Sequence, residues 1–240
     1  MSREHGRRSI GAVGVVLPVN DEEKLLPAAL QAIEVAVDAL STSISTQVVV
    51  VLDCCGDASS AIAHRWGARF GALVIQRRCR SVGQARRAGS LALLSRWAEK
   101  DPERIWLATT DADSRVPPHW LTVQLEARAR GTDMWAGRVR VAEKTPSLQR
   151  WTERYSAEPD PVHGANLGFS ASAYTLLGGF GGMRSGEDRD LHRRAAARGF
   201  RITYDLRAPV TTSSRQEGRA PEGFAGMLRK VEQEQLEATA

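Results

Sequence analysis

The chain has 240 residues, of which 42% are hydrophobic and 25% are charged, and these are the proportions of an ordinary globular protein. Its formal net charge is +5, carried almost entirely by scattered arginines, which favours an anionic small substrate over nucleic acid. No apolar run approaches the roughly 18 residues of a membrane span, so we expect no transmembrane segment.

Strand-like apolar runs alternate with helical patterns, which predicts βαβ units around a mainly parallel sheet. The predicted strands are Gly11–Leu17, Val48–Leu52, Ala72–Gln76, Arg104–Thr110, Asp133–Val141, Asn166–Ser170 and Phe200–Asp205. The predicted helices are Pro27–Leu40, Ser59–Phe70, Val82–Lys100, Pro117–Arg130, Thr145–Glu158, Glu187–Arg198 and Phe224–Glu237. We expect one domain over residues 10–240, after a disordered tail at 1–9.

Two features bear on location. The polar, basic stretch Met1–Ser9 has no apolar segment behind it, so it does not resemble a secretory signal. Cys54, Cys55 and Cys79 show neither zinc-site spacing nor a disulfide framework and indicate reduced thiols. Together these features predict a cytoplasmic protein.

Acidic side chains follow the first, second and fourth predicted strands at the point where each strand ends. They are Glu22, Asp53, Asp111 and Asp113. In an open α/β sheet, ligands collect at the carboxyl ends of the strands. A hard divalent cation that also binds substrate phosphates needs few protein carboxylates. The pattern predicts a metal–diphosphate site, although each acidic residue alone is also typical of a cap or turn.

Basic residues supply candidate phosphate ligands. Arg80, Gly83 and Arg86 lie around the start of the third predicted helix, where backbone N–H groups attract phosphate and an arginine can pair with a diphosphate through two hydrogen bonds. Arg215 and Arg219 could close over a diphosphate as a C-terminal lid. A solvated helix face and a solvated charge cluster are the alternatives.

The second half of the chain holds candidate catalytic residues. Glu187 and Asp188 begin a helix after the glycine-rich loop at 178–182, which is predicted to be flexible. Carboxylates at that position stabilise a helix by themselves, but a loop-mounted carboxylate can also act as a general base. His163 and Asn166, beside a short predicted strand, are candidate ligands of an acceptor, and His163 also of a metal.

Five segments in this order resemble the family 2 glycosyltransferases of the GT-A type, over about Val13–Tyr204. The segments are V-V-L-P-V-N-D-E-E at 15–23, V-L-D-C-C-G-D at 51–57, G-Q-A-R-R-A-G at 83–89, D-A-D at 111–113 and G-E-D at 186–188. The resemblance implies a single Rossmann-like, mainly parallel sheet flanked by helices. Residues 10–130 would form the nucleotide-sugar-binding half. Residues 131–240 would form the acceptor side with a C-terminal lid and helix.

The resemblance also implies the activity of a hexosyltransferase that uses a UDP- or GDP-sugar. Pro18, Asn20, Glu22 and Asp53 would hold base and ribose. Mg²⁺ or Mn²⁺ would be the cofactor and would offset charge on the leaving diphosphate.

The resemblance implies separate roles for the two pairs of acidic residues in the expected site. Asp113 would bind the metal, and Asp111 would contact ribose or metal. Asp188 would deprotonate the acceptor hydroxyl, and Glu187 would orient acceptor or base. The implied stereochemical outcome is inversion, while related sheets also occur in retaining enzymes.

Departures from the family pattern narrow these expectations. Cys54 and Cys55 replace the usual Asp-Gly, which weakens the inference about nucleobase contacts. The Q-x-x-R-W motif of processive synthases is absent, which favours transfer of one sugar to a small-molecule or lipid-linked acceptor. Peripheral membrane contact and a homodimer stay open.

Three alternatives remain from the sequence. A sugar-phosphate nucleotidyltransferase would normally carry a Gly-rich basic loop after the first strand, where this chain is acidic. A catalytically silent nucleotide-binding domain is disfavoured by the presence together of Asp111, Asp113 and Asp188. An NAD-dependent oxidoreductase is weaker, because no G-x-G-x-x-G follows the first strand.

Overall fold

A computed structural model of the chain describes residues 9–142, 162–183 and 185–214. The strands are β1 (Ala12–Val19), β2 (Ser45–Asp53), β3 (Leu73–Arg77), β4 (Ile105–Thr109), β5 (Ser114–Arg115), β6 (Met134–Val141), β7 (Leu167–Ser170) and β8 (Ile202–Thr212). The α-helices are α1 (Leu26–Asp38), α2 (Ser59–Phe70), α3 (Val82–Arg96), α4 (Trp120–Ala129), α5 (Ala171–Leu176) and α6 (Glu187–Ala197).

One sheet holds all eight described strands in the order β3-β2-β1-β4-β7-β6-β8-β5. The first four of these run parallel to one another. β7 is antiparallel to both of its neighbours, β6 and β8 are parallel, and β5 is antiparallel to β8. The predicted α/β fold is confirmed, with a mixed second half. The carboxyl ends of β1, β2 and β4 therefore meet at one edge.

Both faces of the sheet are covered, as expected for strands that are apolar on both sides. Along β1, Val13, Val15 and Leu17 enter the core beneath α1, α2 and α4. Ala12 and Val16 point the other way, into the core beneath α3, α5 and α6. Every residue of β1 is buried, so this strand is the centre of the fold.

The structure differs from the prediction chiefly around β8. This strand was expected to end at Asp205, but it continues to Thr212 because Val210 and Thr212 pair with β6. The two-residue strand β5 and the short helix α5 were not predicted. The helices predicted at 145–158 and 224–237, and most of the predicted tail, lie outside the described residues. Across the described ranges, no helix combines the length and apolarity required to cross a bilayer.

Candidate active site

The loops after β1 and β2 are tied together at the carboxyl edge of the sheet. The Asn20 amide donates a 2.5 Å hydrogen bond to the Asp53 carbonyl. The Asp21 carboxylate accepts from the backbone N–H of Gly56 at 2.6 Å, and the N–H of Glu22 donates to the Ser59 hydroxyl at 2.7 Å. The acidic loop after β1 is therefore held by the segment that runs from the end of β2 to the start of α2.

Asp53 ends β2 and organises the loop that precedes α3. Its carboxylate oxygen Oδ1 accepts from the backbone N–H groups of Cys79, at 2.7 Å, and Arg80, at 3.0 Å. Arg80 has a left-handed backbone, with φ of 51°, and an exposed side chain. Asp53 therefore sets the path of the loop, and the Arg80 side chain faces solvent at the same edge.

Asp111 and Asp113 follow β4 and have different surroundings. Asp111 is partly exposed, and its Oδ1 lies 2.5 Å from an Arg86 guanidinium nitrogen. The Asp113 Oδ1 accepts from the hydroxyls of Ser114, at 3.0 Å, and Thr212, at 3.4 Å. The N–H of Ser213 donates to the Asp113 carbonyl at 3.2 Å. The end of β8 therefore holds Asp113 in place.

Arg86 is buried, with 3% of its side chain exposed, and joins two parts of the site. One guanidinium nitrogen binds Asp111 and the other binds Glu187, whose side chain is also buried. The Phe180 ring covers the guanidinium, with 5.8 Å between the ring centroid and the guanidinium carbon. The arginine that was predicted to bind a diphosphate thus has two protein carboxylates as partners.

Burial and neighbouring charge oppose each other in this network. Burial alone would lower the pKa of Arg86, but the carboxylates of Asp111, Glu187 and Asp188 outweigh it and raise that pKa. Burial raises the pKa of Glu187 above its usual value, although the Arg86 charge acts against the rise. The guanidinium is therefore permanently charged, and its two carboxylate contacts are charge-assisted hydrogen bonds.

Asp188 lies beside the turn that precedes β7. Its Oδ2 accepts from the backbone N–H of Gly164 at 2.8 Å. Burial lowers the pKa of His163 to about 4, against the nearby Asp188 charge, so this imidazole is neutral at pH 7. A Cβ atom on Gly164 would overlap the Arg86 guanidinium, so only glycine allows this close approach.

The glycine-rich segment before α6, which the sequence predicts to be a flexible loop, accepts hydrogen bonds from two arginines and a serine. Arg87 donates to the carbonyls of Gly178 and Phe180. Arg194 donates to the Gly179 carbonyl at 2.9 Å, and the Ser81 hydroxyl donates to the Met183 carbonyl at 2.7 Å. These bonds fix the approach of the chain to Glu187.

Several of the remaining predicted site residues are buried and contribute to packing. Pro18 and Glu22 are buried, and Gly83 packs so tightly that a Cβ atom there would lie 2.6 Å from the Gly181 carbonyl. Asn166 is fully buried; it accepts from Trp120 and donates to the carbonyls of Arg138 and Ala208. Arg215 and Arg219 lie outside the described residues.

Sequence reasoning missed three contributors to the site. Phe180 was not distinguished from the surrounding glycines, and Gly164 was noted only as part of a loop. Thr212 was missed because β8 was ended too early. The alternation of Ala208, Val210 and Thr212, all buried, is the sequence signal that could have extended this strand.

Solved structures share this architecture. The crystal structure of S. aureus TarS 1–349 superposes with a TM-score of 0.63 at 14% identity, over 91% of this chain and 64% of that chain. The same TarS fragment in complex with UDP gives the same TM-score, over 63% of that chain. The mannosyltransferase PcManGT from Pyrobaculum calidifontis, in complex with GDP-Man and Mn²⁺, gives a TM-score of 0.60 at 19% identity, over 86% of this chain and 58% of that chain.

At such low identity these likenesses establish the fold, which is that of the GT-A glycosyltransferases. The chain spans less than two thirds of the length of each of these structures. No curated protein matches it in sequence. The family model described as Glycosyl transferase family 2 matches residues 14–201. The chain therefore belongs to the family 2 glycosyltransferases, and the nucleotidyltransferase and oxidoreductase alternatives are set aside.

Proposed function

We propose that this glycosyltransferase moves one sugar from a UDP- or GDP-sugar to an acceptor hydroxyl, with a divalent metal and with inversion. The observation that carries the proposal is the buried arginine Arg86, whose guanidinium binds Asp111 and Glu187 and lies close to Asp188. Asp53 ends β2 and Asp113 follows β4, at the same sheet edge. The structures similar to this chain that hold UDP, or GDP-Man and Mn²⁺, support this choice of donor and cofactor.

The donor nucleotide is assigned to the edge formed by β1, β2 and β4. Asp53 has a second carboxylate oxygen, Oδ2, for which base and ribose donors are the expected partners. Arg80 is exposed at this edge, and we propose it as the arginine that meets the diphosphate. Arg86 is not proposed for that role, because its two terminal nitrogens already bind carboxylates.

The donor set fits a hard cation that shares a diphosphate. Mg²⁺ and Mn²⁺ are hard ions that favour carboxylate and phosphate oxygens, and Mg²⁺ is usually held by one or two carboxylates plus substrate phosphates. Among the described residues no cluster of three or more His, Cys, Asp or Glu side chains is placed to hold a metal, so an all-protein cage is not the expected form. Asp113 would hold the cation, with Asp111 beside it. When bound, the cation offsets negative charge on the leaving diphosphate.

Asp188 is the proposed general base. The Gly164 N–H binds its Oδ2, which fixes the carboxylate while the residue stays partly exposed. In the displacement the acceptor oxygen forms a bond to the anomeric carbon and the bond from that carbon to the diphosphate oxygen breaks. The acceptor proton passes to Asp188. Glu187 is buried against Arg86, so we assign it to orienting the base and not to contact with the acceptor.

The acceptor is assigned to the side of the site formed by His163 and the second half of the sheet. Asn166 supports this side from within the core through its three hydrogen bonds. The described part of the chain ends at Ser214. It ends close to Asp113, since the N–H of the preceding residue, Ser213, donates to the Asp113 carbonyl. The proposal that Arg215 and Arg219 cover the diphosphate starts from this position. A small-molecule or lipid-linked acceptor is compatible with both assignments.

A thermal-shift screen of UDP- and GDP-sugars with and without Mn²⁺ tests the donor and cofactor together. A ligand at 100 times its dissociation constant stabilises the native state by about 2.7 kcal/mol. We expect sugars of one nucleotide class to raise the thermal unfolding midpoint in the presence of Mn²⁺. This rise should be lost in Asp113→Ala and kept in the exposed control Glu99→Gln. If the wild type neither binds nor slowly hydrolyses any of these sugars, the proposal fails.

A further inference from the structure

We infer that Arg86 is a positioning residue that couples the donor side of the site to the acceptor side. The inference rests on the proposed function, and it concerns how the two carboxylate groups of the site influence each other. Arg86 comes from α3, Asp111 from the end of β4 and Glu187 from the start of α6. Three separate segments of the chain therefore meet at one guanidinium.

Geometry makes the guanidinium a rigid link. An arginine presents its donors in a planar fork, so each terminal nitrogen takes one carboxylate. The Phe180 ring packs against the guanidinium at 5.8 Å, and the Gly164 backbone also approaches it too closely for any Cβ atom. The Arg86 guanidinium therefore has little room to move, and a change at one carboxylate alters its interaction with the other.

The charges make the link sensitive to the state of the donor side. The Arg86 guanidinium lies between the carboxyl groups of Asp111 and Glu187, and both Arg86 and Glu187 are buried. A ligand that binds Asp111 weakens the contact between Asp111 and Arg86, and Glu187 is then the main partner of the guanidinium. Conversely, a change at Glu187 alters how strongly Arg86 holds Asp111. Because Asp188 follows Glu187 directly, the same link sets where the proposed base sits relative to the donor.

A binding cycle tests this coupling without an acceptor. The probes are UDP with Mn²⁺ and GDP with Mn²⁺, titrated by calorimetry into the wild type and into Glu187→Gln. We expect Glu187→Gln to raise the dissociation constant of the nucleotide at least fivefold. The reason is that Arg86 then binds Asp111 more strongly, and Asp111 is less available to the donor. The matched control is Asp190→Asn, the same charge change in the same helix, since Asp190 pairs with Arg194. It should stay within twofold of wild type.

The second arm repeats the titration in an Arg86→Lys background. Lysine keeps the positive charge but is a compact point donor that does not fork. Glu187→Gln should then change the dissociation constant less than twofold. This background also separates coupling through the fork from a field acting through space, since the net charge is unchanged. Folding of each variant is checked by its thermal unfolding midpoint, and Arg96→Met on the exposed end of α3 is the control for α3.

The outcomes distinguish the two proposals. If the wild type binds neither nucleotide, the proposed function fails and the coupling fails with it. If the wild type binds but Glu187→Gln binds equally well, the coupling alone is refuted. An equal weakening in the wild-type and Arg86→Lys backgrounds also refutes it, because the effect would then not pass through the fork.

Discussion

Replacing Gly164 with alanine is the sharpest test of the packing around Arg86. A Cβ atom at this position would overlap the guanidinium, and the guanidinium is held by Asp111 and Glu187. Overpacking a core costs about 1–3 kcal/mol. Losing one partner of a buried ion pair costs about 3–5 kcal/mol. Because Arg86 cannot move away without weakening a carboxylate contact, we expect a loss of about 3 kcal/mol in the free energy of unfolding, between these two ranges.

Urea unfolding at pH 7 measures this loss directly. In thermal unfolding of a chain of this size, about 3 kcal/mol corresponds to a fall of roughly 6–12 °C in the midpoint temperature. Gly181→Ala is the matched control, because a Cβ atom there would meet the Asp190 carboxylate and Met183 at an ordinary 3.7 Å. It should change stability by less than about 0.5 kcal/mol. If Gly164→Ala is as stable as Gly181→Ala, the guanidinium has more freedom than the packing allows and our account of the site is wrong.

Three further predictions follow from the same contacts. Asp188→Asn should keep nucleotide binding but lower turnover by about 10²–10⁴-fold, the usual contribution of a general base; an equal loss of binding, seen by calorimetry, would reassign Asp188 to the donor site. The pKa of His163 is depressed to about 4 in the folded state, so the unfolded state binds more protons between about pH 4 and 6.5 and stability rises with pH across that window. Urea unfolding at several pH values should therefore show a flatter rise in His163→Asn, and a slope equal to wild type would contradict the assignment. Arg194→Met removes donors to the Gly179 and Leu177 carbonyls and should speed amide exchange over residues 178–183, measured by mass spectrometry. Exposed Arg193→Met should not, and equal exchange in both variants would mean that the loop does not depend on Arg194.

The sheet edge at the carboxyl ends of β1, β2 and β4 is predictable from sequence because it depends on local rules. Continuous apolar runs identify β1, β2 and β4 as buried strands, and the residues after them must lie at one sheet edge once the strands are parallel. Asp53, Asp111 and Asp113 follow directly from this reasoning. The structure places all three at that edge, although their roles toward a donor remain proposals.

The contacts that join the two halves of the site are less predictable, because they link distant segments of the chain. Thr212 reaches Asp113 only because β8 continues beside β6, and the sequence offers Arg207 and Pro209 there as reasons to stop. Arg86 illustrates the same limit. Its type and position are typical of a phosphate ligand, and nothing local indicates that a helix start 101 residues away would supply Glu187 as a partner.

The spacing of the segment at 83–89 is better explained by packing than by direct phosphate contact. Gly83, Arg86 and Gly89 recur every three residues, so they lie along one face of α3. A Cβ atom on Gly83 would meet Glu187 at 2.9 Å, and one on Gly89 would meet Val16 of β1 at 2.5 Å. Each glycine lets the helix approach a neighbour, and Arg86 between them then reaches carboxylates on both sides. A motif first interpreted as a phosphate-binding signature thus fixes α3 against β1 and α6, and through that packing it fixes the arginine that joins the two halves of the site.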